Sequence, residues 1–377
     1  MPKSIYLIAG EASGDFLGAQ LIKSLKAKNP DAQFFGVGGE MMQAEGLKSL
    51  YDMNDLSVMG IAEVLPKLGK LLKKIKQTSE DIIKKQPDVV ITIDAPDFCH
   101  RVIKRVKKKS NDAPRFIHYV APTVWAWRPK RAKKIAQFLD GLICLFDFEP
   151  PYFEKEGLGA IAAGHPMMES GLVEAKSLTV GMEASQKLGV FFGSRQGEIK
   201  RISPVILETV EKIIQEKPDV ELIVPTLPHL KEQIGELLKG IKVPVHIFTD
   251  NTQKWSIFKS CDAAIAVSGT VGLELAACDV PHVIAYKMNN MTWQIVKRVI
   301  QTKYAHLANI ILGKETVPEF IQDHCRADDI ANEILFLFED QTAQNTQQRD
   351  FEIVRHKIGG GVKTPSEIAA DFILNKA

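Results

Sequence analysis

No stretch of this chain approaches the roughly 20 consecutive apolar residues that a membrane-spanning helix requires. The apolar run near the start, in MPKSIYLIAGEASGD, is about five residues long before it enters a turn, so it reads as a first strand and not a secretory signal. Cysteine is sparse. Five residues (Cys99, Cys144, Cys261, Cys278 and Cys325) lie far apart, odd in number and without a CxxC pair, which argues against a disulfide framework or a zinc site. Net charge is only +2, so charge gives no case for nucleic acid as a partner. There is no GxGxxG fingerprint, internal repeat or low-complexity tract. The expectation is a cytoplasmic protein whose membrane contact, if any, is peripheral, with no zinc site and no dinucleotide cofactor.

What is present is the balance of a soluble globular chain: 377 residues, 45% hydrophobic and 25% charged, long enough for two domains. Short apolar runs alternate with helical stretches in the βαβ rhythm of a doubly wound parallel sheet. The first series is Ile5–Ala9, Phe34–Val37, Val89–Ile93, Phe116–Val120 and Leu142–Leu145. A second series starts near Val190–Phe192 and continues with Leu222–Val224, Val245–Phe248, Ala263–Val267 and His282–Ala285. The alternation pauses near Gly164-His165-Pro166. The fold class expected is therefore α/β, with two Rossmann-like domains over residues 1–165 and 166–345 facing a cleft. A helical segment, 346–377, follows a polar gap and would pack back on the first domain or exchange with a second copy in a homodimer.

The most informative stretch is Ile265–Lys287. A buried-type strand runs into the turn Ser268-Gly269-Thr270 and a helix carrying Glu274. Backbone N–H groups at such a helix start suit a diphosphate, and a carboxylate one turn on could hold ribose hydroxyls. A plain cap and a dipole-complementing glutamate explain the same residues. Gly193-Ser194-Arg195 follows another strand, with Arg195 either a phosphate fork or a surface partner of Glu198.

In the first half, GEASGD (Gly10–Asp15) is a small-residue turn in which Ser13 and Gly14 leave room near the backbone, or a tight turn capped by Ser13 or Asp15. Asp94 ends an otherwise apolar strand in ITIDAPDF, as either a general base or a turn residue, while Asp97 reads as a helix N-cap. In HYVAPTVWAWRPKR, Trp125, Trp127 and Arg128 sit on a loop suited to an anionic, partly apolar ligand. His118 reads as a core histidine. Between Leu56 and Lys76, Val64, Leu65, Leu68, Leu71 and Leu72 recur at helical spacing between lysines. That pattern fits a helix resting on an anionic bilayer and equally a half-buried helix with a solvated basic face.

Taken together these stretches resemble the lipid-A-disaccharide synthase family, glycosyltransferases of the two-domain GT-B architecture. The resemblance rests on GEASGD at Gly10, MQAEG at Met42, VMGIAEVL at Val58, IDAPDF at Ile93, HYVAPTVWAWR at His118, GHP at Gly164, GSR at Gly193 and SGT…LE at Ser268–Glu274. It implies a UDP-2,3-diacylglucosamine donor, a 2,3-diacylglucosamine 1-phosphate acceptor, inversion to a β linkage and no metal. Asp94 is then the expected base. Ser13, Gly14, Ser194, Arg195, Ser268, Gly269, Thr270, Glu274 and Asn309 are expected at the nucleotide sugar, and Trp125, Trp127 and Arg128 at the acceptor. The Val64–Leu72 face is expected on the inner membrane. Phe192 replaces the family's usual proline before GSR. A UDP-N-acetylglucosamine epimerase would share the UDP site without needing the lysine-flanked helix, and a membrane scaffold would need only that helix.

Overall fold

The computed structural model describes residues 1–56, 61–127, 129–178, 186–359 and 361–376; the side chains at 61–68, 295 and 376 lie outside the description. The chain forms two compact units, Met1–Glu169 with Ile358–Ala377, and Ser170–Lys357. The boundary therefore falls a few residues beyond the Gly164-His165-Pro166 pause. The terminal segment divides between the units instead of acting as one piece.

In the first unit, seven strands form a sheet in the order β3-β2-β1-β4-β5-β6-β7, parallel throughout. They are β1 Ser4–Ala9, β2 Gln33–Val37, β3 Lys48–Ser49, β4 Val89–Ile93, β5 Arg115–Tyr119, β6 Gly141–Cys144 and β7 Ala160–Ala162. Ile5 to Ala9 and all of β4 and β6 are buried, as continuous apolar runs must be when helices cover both faces of a sheet. The helix Ala12–Lys28 buries Leu17, Leu21, Ile22 and Leu25, one stripe at helical spacing. On that helix rests Pro365–Lys376, where the Ser24 and Ser366 hydroxyls meet at 2.8 Å and the Ser366 N–H donates to Glu169 (3.0 Å).

The second unit has a six-stranded parallel sheet in the order β10-β9-β8-β11-β12-β13. Its strands are β8 Lys187–Phe191, β9 Glu221–Pro225, β10 Val245–Phe248, β11 Ala263–Ala266, β12 His282–Tyr286 and β13 Glu319–Ile321. The stretch Asp340–Gln347, expected to be a gap, is mostly helix. Gln341–Lys357 is polar on its outer side and buries Gln347, Asp350, Phe351 and Val354. Gln347 accepts the His282 N–H at 2.9 Å, and Phe351 stacks on the His282 ring.

Both sheets bury paired histidines. His118, on β5, lies against His100 and bonds the Thr92 hydroxyl at 2.7 Å. In the second unit His282 Nδ1–H donates to the Val280 carbonyl (2.7 Å), while His306 Nδ1 accepts the Ala308 N–H (3.2 Å). The Nε2–Nε2 contact of 3.1 Å is thus bridged by the one remaining proton, that of His306. Burial holds all four rings neutral, pushing His100 and His282 down to about 4, His118 to about 3, and His306 well below its usual value.

A histidine whose folded pKa is depressed contributes stability that is present above its unfolded pKa and lost as pH falls. Each ring is expected to cost up to about 1.36 kcal/mol per pH unit below about 6.5, until its folded pKa is reached. Glu149, whose burial lifts its carboxyl to about 7, works in the opposite sense and offsets roughly one ring. Thermal melts followed by circular dichroism should show the melting temperature falling steadily from pH 6.5 to 4.5. A melting temperature flat across that range would contradict the neutral, buried state of these histidines.

Candidate active site

In an open parallel sheet, crossovers run to opposite sides of the strand pair at which the order reverses, and a crevice opens at the carboxyl ends of that pair. In the first unit that pair is β1 and β4, in the second β8 and β11. The residues following them are Gly10, Asp94, Gly193-Ser194-Arg195 and Ser268-Gly269-Thr270. Four separate stretches singled out in the sequence therefore fall at the two switch points.

At the first of these, Asp94 has φ 49° and Ala95 φ 42°, both left-handed, and Pro96 opens the next helix. The Asp94 N–H donates to the Tyr119 carbonyl at 2.9 Å, extending the β4–β5 ladder by one residue while the chain turns sharply beneath it. Val120, directly after β5, is also left-handed at φ 77°, a genuine outlier for a β-branched side chain. Such strain persists only where surrounding structure enforces it, and it gathers at functional sites. A side chain at Gly10 would come within 3.1 Å of Ala95 Cβ, so the glycine lets the two loops close up. The carboxylate of Asp94 is partly exposed at this edge.

GEASGD is less of a turn than expected. The helix begins at Ala12, so Ser13, Gly14 and Asp15 form its first turn. Ser13 is exposed, but Gly14 is buried 3.3 Å (by its absent Cβ) from Ala9 and packs helix against strand. Asp15 accepts the N–H groups of Gly39, Met41 and Met42 at 2.8–3.1 Å, capping the helix Glu40–Ala44. Asp97 is not an N-cap; that position is Ala95, and Asp97 is exposed in the first turn, where its charge suits the helix dipole.

Trp125 and Trp127 stand on a four-residue helix, Val124–Trp127, instead of an open loop, and they differ in environment. Trp125 is buried and its indole N–H donates to Glu149 at 3.1 Å; Trp127 is 46% exposed. Arg128 lies outside the described residues. Glu149 was not anticipated. Its carboxylate also accepts the N–H groups of Leu145 and Phe146, tying the segment after β5 to the one after β6. The expected bilayer face also divides. Leu71 packs against the core and Leu72 is half exposed, whereas the side chains of Val64, Leu65 and Leu68 lie outside the described residues.

The second unit holds a cavity of about 400 Å³ at the carboxyl ends of β8, β9, β10 and β11. Its lining includes Ser194, Arg195, Ser268, Gly269, Thr270 and Glu274. Gly193 (φ 91°) and Gly269 (φ 145°) give the backbone turns that a side chain would resist. Two carboxylates are already matched by cations: Glu274 by Lys254 at 2.7 Å and Glu198 by Arg195 at 3.0 Å. The Arg195 side chain is 81% exposed, free to swing onto another anion. Asn309, expected at the nucleotide, is fully buried, its amide donating to the Val317 carbonyl and Glu319 and its oxygen accepting the Thr316 and Val317 N–H groups. Among the described residues, no group of three His, Cys, Asp or Glu side chains could hold a metal ion.

Two parallel α/β units, one with a polar pocket at its switch point and the other with a carboxylate, define a protein of the GT-B class. Solved structures of similar fold bear this out. A putative UDP-N-acetylglucosamine 2-epimerase from Listeria monocytogenes aligns over 99% of this chain and 95% of its own (TM-score 0.66, 13% identity). A kitacinnamycin glycosyltransferase aligns over 100% and 99% (TM-score 0.61, 15% identity). These show the fold. The family is shown by sequence: residues 5–372 match the family described as Lipid-A-disaccharide synthetase, and the chain belongs to it. It is 41% identical to the lipid-A-disaccharide synthase of Rhodospirillum centenum, over 99% of this chain and 94% of that one. The corresponding enzyme of Paramagnetospirillum magneticum is 39% identical over 98% and 97%. The protein is thus a glycosyltransferase of lipid A disaccharide formation.

Asn309→Ala would leave two N–H groups, a carbonyl and Glu319 without their buried partner, at about 1–3 kcal/mol for each group left unsatisfied. We expect a melting temperature lowered by several degrees, with UDP affinity unchanged in whatever fraction stays folded. A variant that melts like the wild type but no longer binds UDP would give Asn309 a direct part in nucleotide binding.

Proposed function

We propose that the enzyme joins UDP-2,3-diacylglucosamine to 2,3-diacylglucosamine 1-phosphate, releasing UDP and inverting the donor's anomeric carbon to a β linkage. The observation that carries this reading is the strained, partly exposed Asp94 at the switch point of the first sheet. Its carboxylate takes the proton of the acceptor hydroxyl as that oxygen attacks, and the bond from the anomeric carbon to the diphosphate breaks with its electron pair on UDP. Charge developing on the leaving diphosphate is met by Arg195 and by N–H groups at the start of the helix Thr270–Ala277. Glu274 holds the ribose hydroxyls, keeping Lys254 as its counter-ion. Ser13 and Ser194 offer hydroxyls at the two crevices, and the exposed Trp127 face receives the acceptor.

Both substrates carry acyl chains, so the enzyme works at a lipid surface, with the helix Ile61–Lys85 as one docking element. Leu72 is exposed there, as are Lys73 and, one turn on, Lys76, a pairing of apolar and cationic groups suited to anionic lipid. No described helix is long and apolar enough to cross a membrane. We place the enzyme at the cytoplasmic face of the inner membrane.

Disaccharide and UDP production in detergent micelles tests the assignment. Asp94→Ala should remain folded and lose at least about a hundredfold in kcat. Equal rates for variant and wild type would move the base elsewhere. A second test separates binding from chemistry. Glu274→Ala should weaken UDP binding by about tenfold or more, the value of a charge-assisted hydrogen bond. Unchanged UDP affinity in calorimetry would remove Glu274 from the ribose.

A further inference from the structure

The helix Asn290–Val299, after β12 in the second unit, has no buried residue among its described side chains, although its sequence, NMTWQIVKRV, is half apolar. Met291 is 79% exposed, Val299 42% and Ile300, just past the helix end, 39%. Trp293 and Val296 are half-buried. At about 100° per residue, Met291, Val299, Val296 and Trp293 fall within an arc of about 200°, with Lys297, Gln294 and Arg298 on the remainder. Charge along this part of the chain is of one sign. No Asp or Glu occurs between Asp279 and Glu315, while Lys287, Lys297, Arg298, Lys303 and Lys314 do. Lys314 is taken up by Asp350, but Lys297, Arg298 and Lys303 are all exposed.

An apolar arc flanked by cations, on a helix whose outer side is left exposed by the described residues, has the charge and hydropathy of a surface helix on anionic lipid. A protein partner with an acidic, apolar groove would match less fully, because the exposed apolar groups continue past the helix end to Ile300 and are edged by Lys303 without forming a bounded patch. We infer that this helix is a bilayer contact of the second unit, separate from the helix Ile61–Lys85 of the first. The inference rests on the reading above that the enzyme works at a lipid surface, and adds that the nucleotide-binding unit itself touches that surface. A donor bound in the second unit would then keep its acyl chains close to lipid.

The test uses the full chain and extruded vesicles, either phosphatidylcholine alone or phosphatidylethanolamine with phosphatidylglycerol. Lys297→Glu/Arg298→Glu and Met291→Ser/Val299→Ser should each weaken co-sedimentation with the anionic vesicles by at least about tenfold. Both should keep wild-type UDP affinity and circular dichroism. Trp293 supplies an independent reading: lipids brominated near the headgroup should quench part of the wild-type fluorescence, and Trp293→Phe should abolish that part. If the wild type binds anionic vesicles and both double variants bind equally well, with quenching unaltered by Trp293→Phe, the inference fails and docking rests on the first unit. A wild type that binds no vesicle overturns the lipid-surface reading itself. Variants that turn a dimer into a monomer while still binding vesicles would make this face a contact between copies, and also overturn the inference.

Discussion

Parallel strands all end on one side of their sheet, and each must leave that side for a crossover helix. Where two neighbouring strands send their chains in opposite directions, the departing loops part and backbone N–H groups are left unpaired. Both units of this enzyme depend on that constraint. Between β1 and β4 it exposes the edge that carries Asp94, and between β8 and β11 it opens a pocket of about 400 Å³. Polar residues thus collect at the strand ends that parallel pairing leaves open, while the central strands themselves stay largely apolar.

The two edges are prepared differently. In the first unit the backbone is held out of its ordinary range at Asp94, Ala95 and Val120, with N–H groups of Asp94 and Val120 anchored to Tyr119 and Ile143. The carboxylate is thereby fixed by the main chain, and side-chain rotation is its remaining freedom. In the second unit the fixed parts are glycine turns and a helix start, while the charged groups rest in ion pairs that a ligand can exchange. Arg195 rests on Glu198 and Lys254 on Glu274; in the proposed reaction Arg195 would trade Glu198 for a phosphate, and Glu274 would accept hydroxyls while keeping Lys254. On the proposed reading, a carboxylate held by its backbone and a pocket of exchangeable ion pairs suit a reaction in which one proton moves a short distance and a large leaving group departs.

Much of this was legible in the sequence, for identifiable reasons. Most of the central strands are apolar runs of about four to six residues between turn formers, and their expected bounds fall within a residue of the observed ones; β8 is the exception, starting at Lys187, three residues before the expected Val190. The strands β3, β7 and β13 were not anticipated, being two or three residues long at or near sheet edges, where burial leaves little pattern. GEASGD looked like a turn because glycine and serine disfavour helices, yet Asp15 is needed one turn in to cap a neighbouring helix. Asn309 sits among apolar residues in LANIIL, and nothing in its spacing separates a ligand-binding amide from one satisfied by its own loop. Glu149 had no signal either: its three donors come from Trp125 and from its own turn, and only the fold brings them together.

The path of the chain also has a consequence for how the molecule is made. The first unit holds residues up to Glu169, yet its helix Pro365–Lys376, which covers Ala12–Lys28, is translated after the entire second unit. During synthesis the first sheet must wait, with the apolar flank beneath Ala369, Ala370 and Ile373 uncovered, while nearly 190 residues of the second unit emerge and fold. Domains ordinarily mature in order from the N-terminus. Here the unit that starts first finishes last, and its unfinished surface is the one most in need of a chaperone on the ribosome.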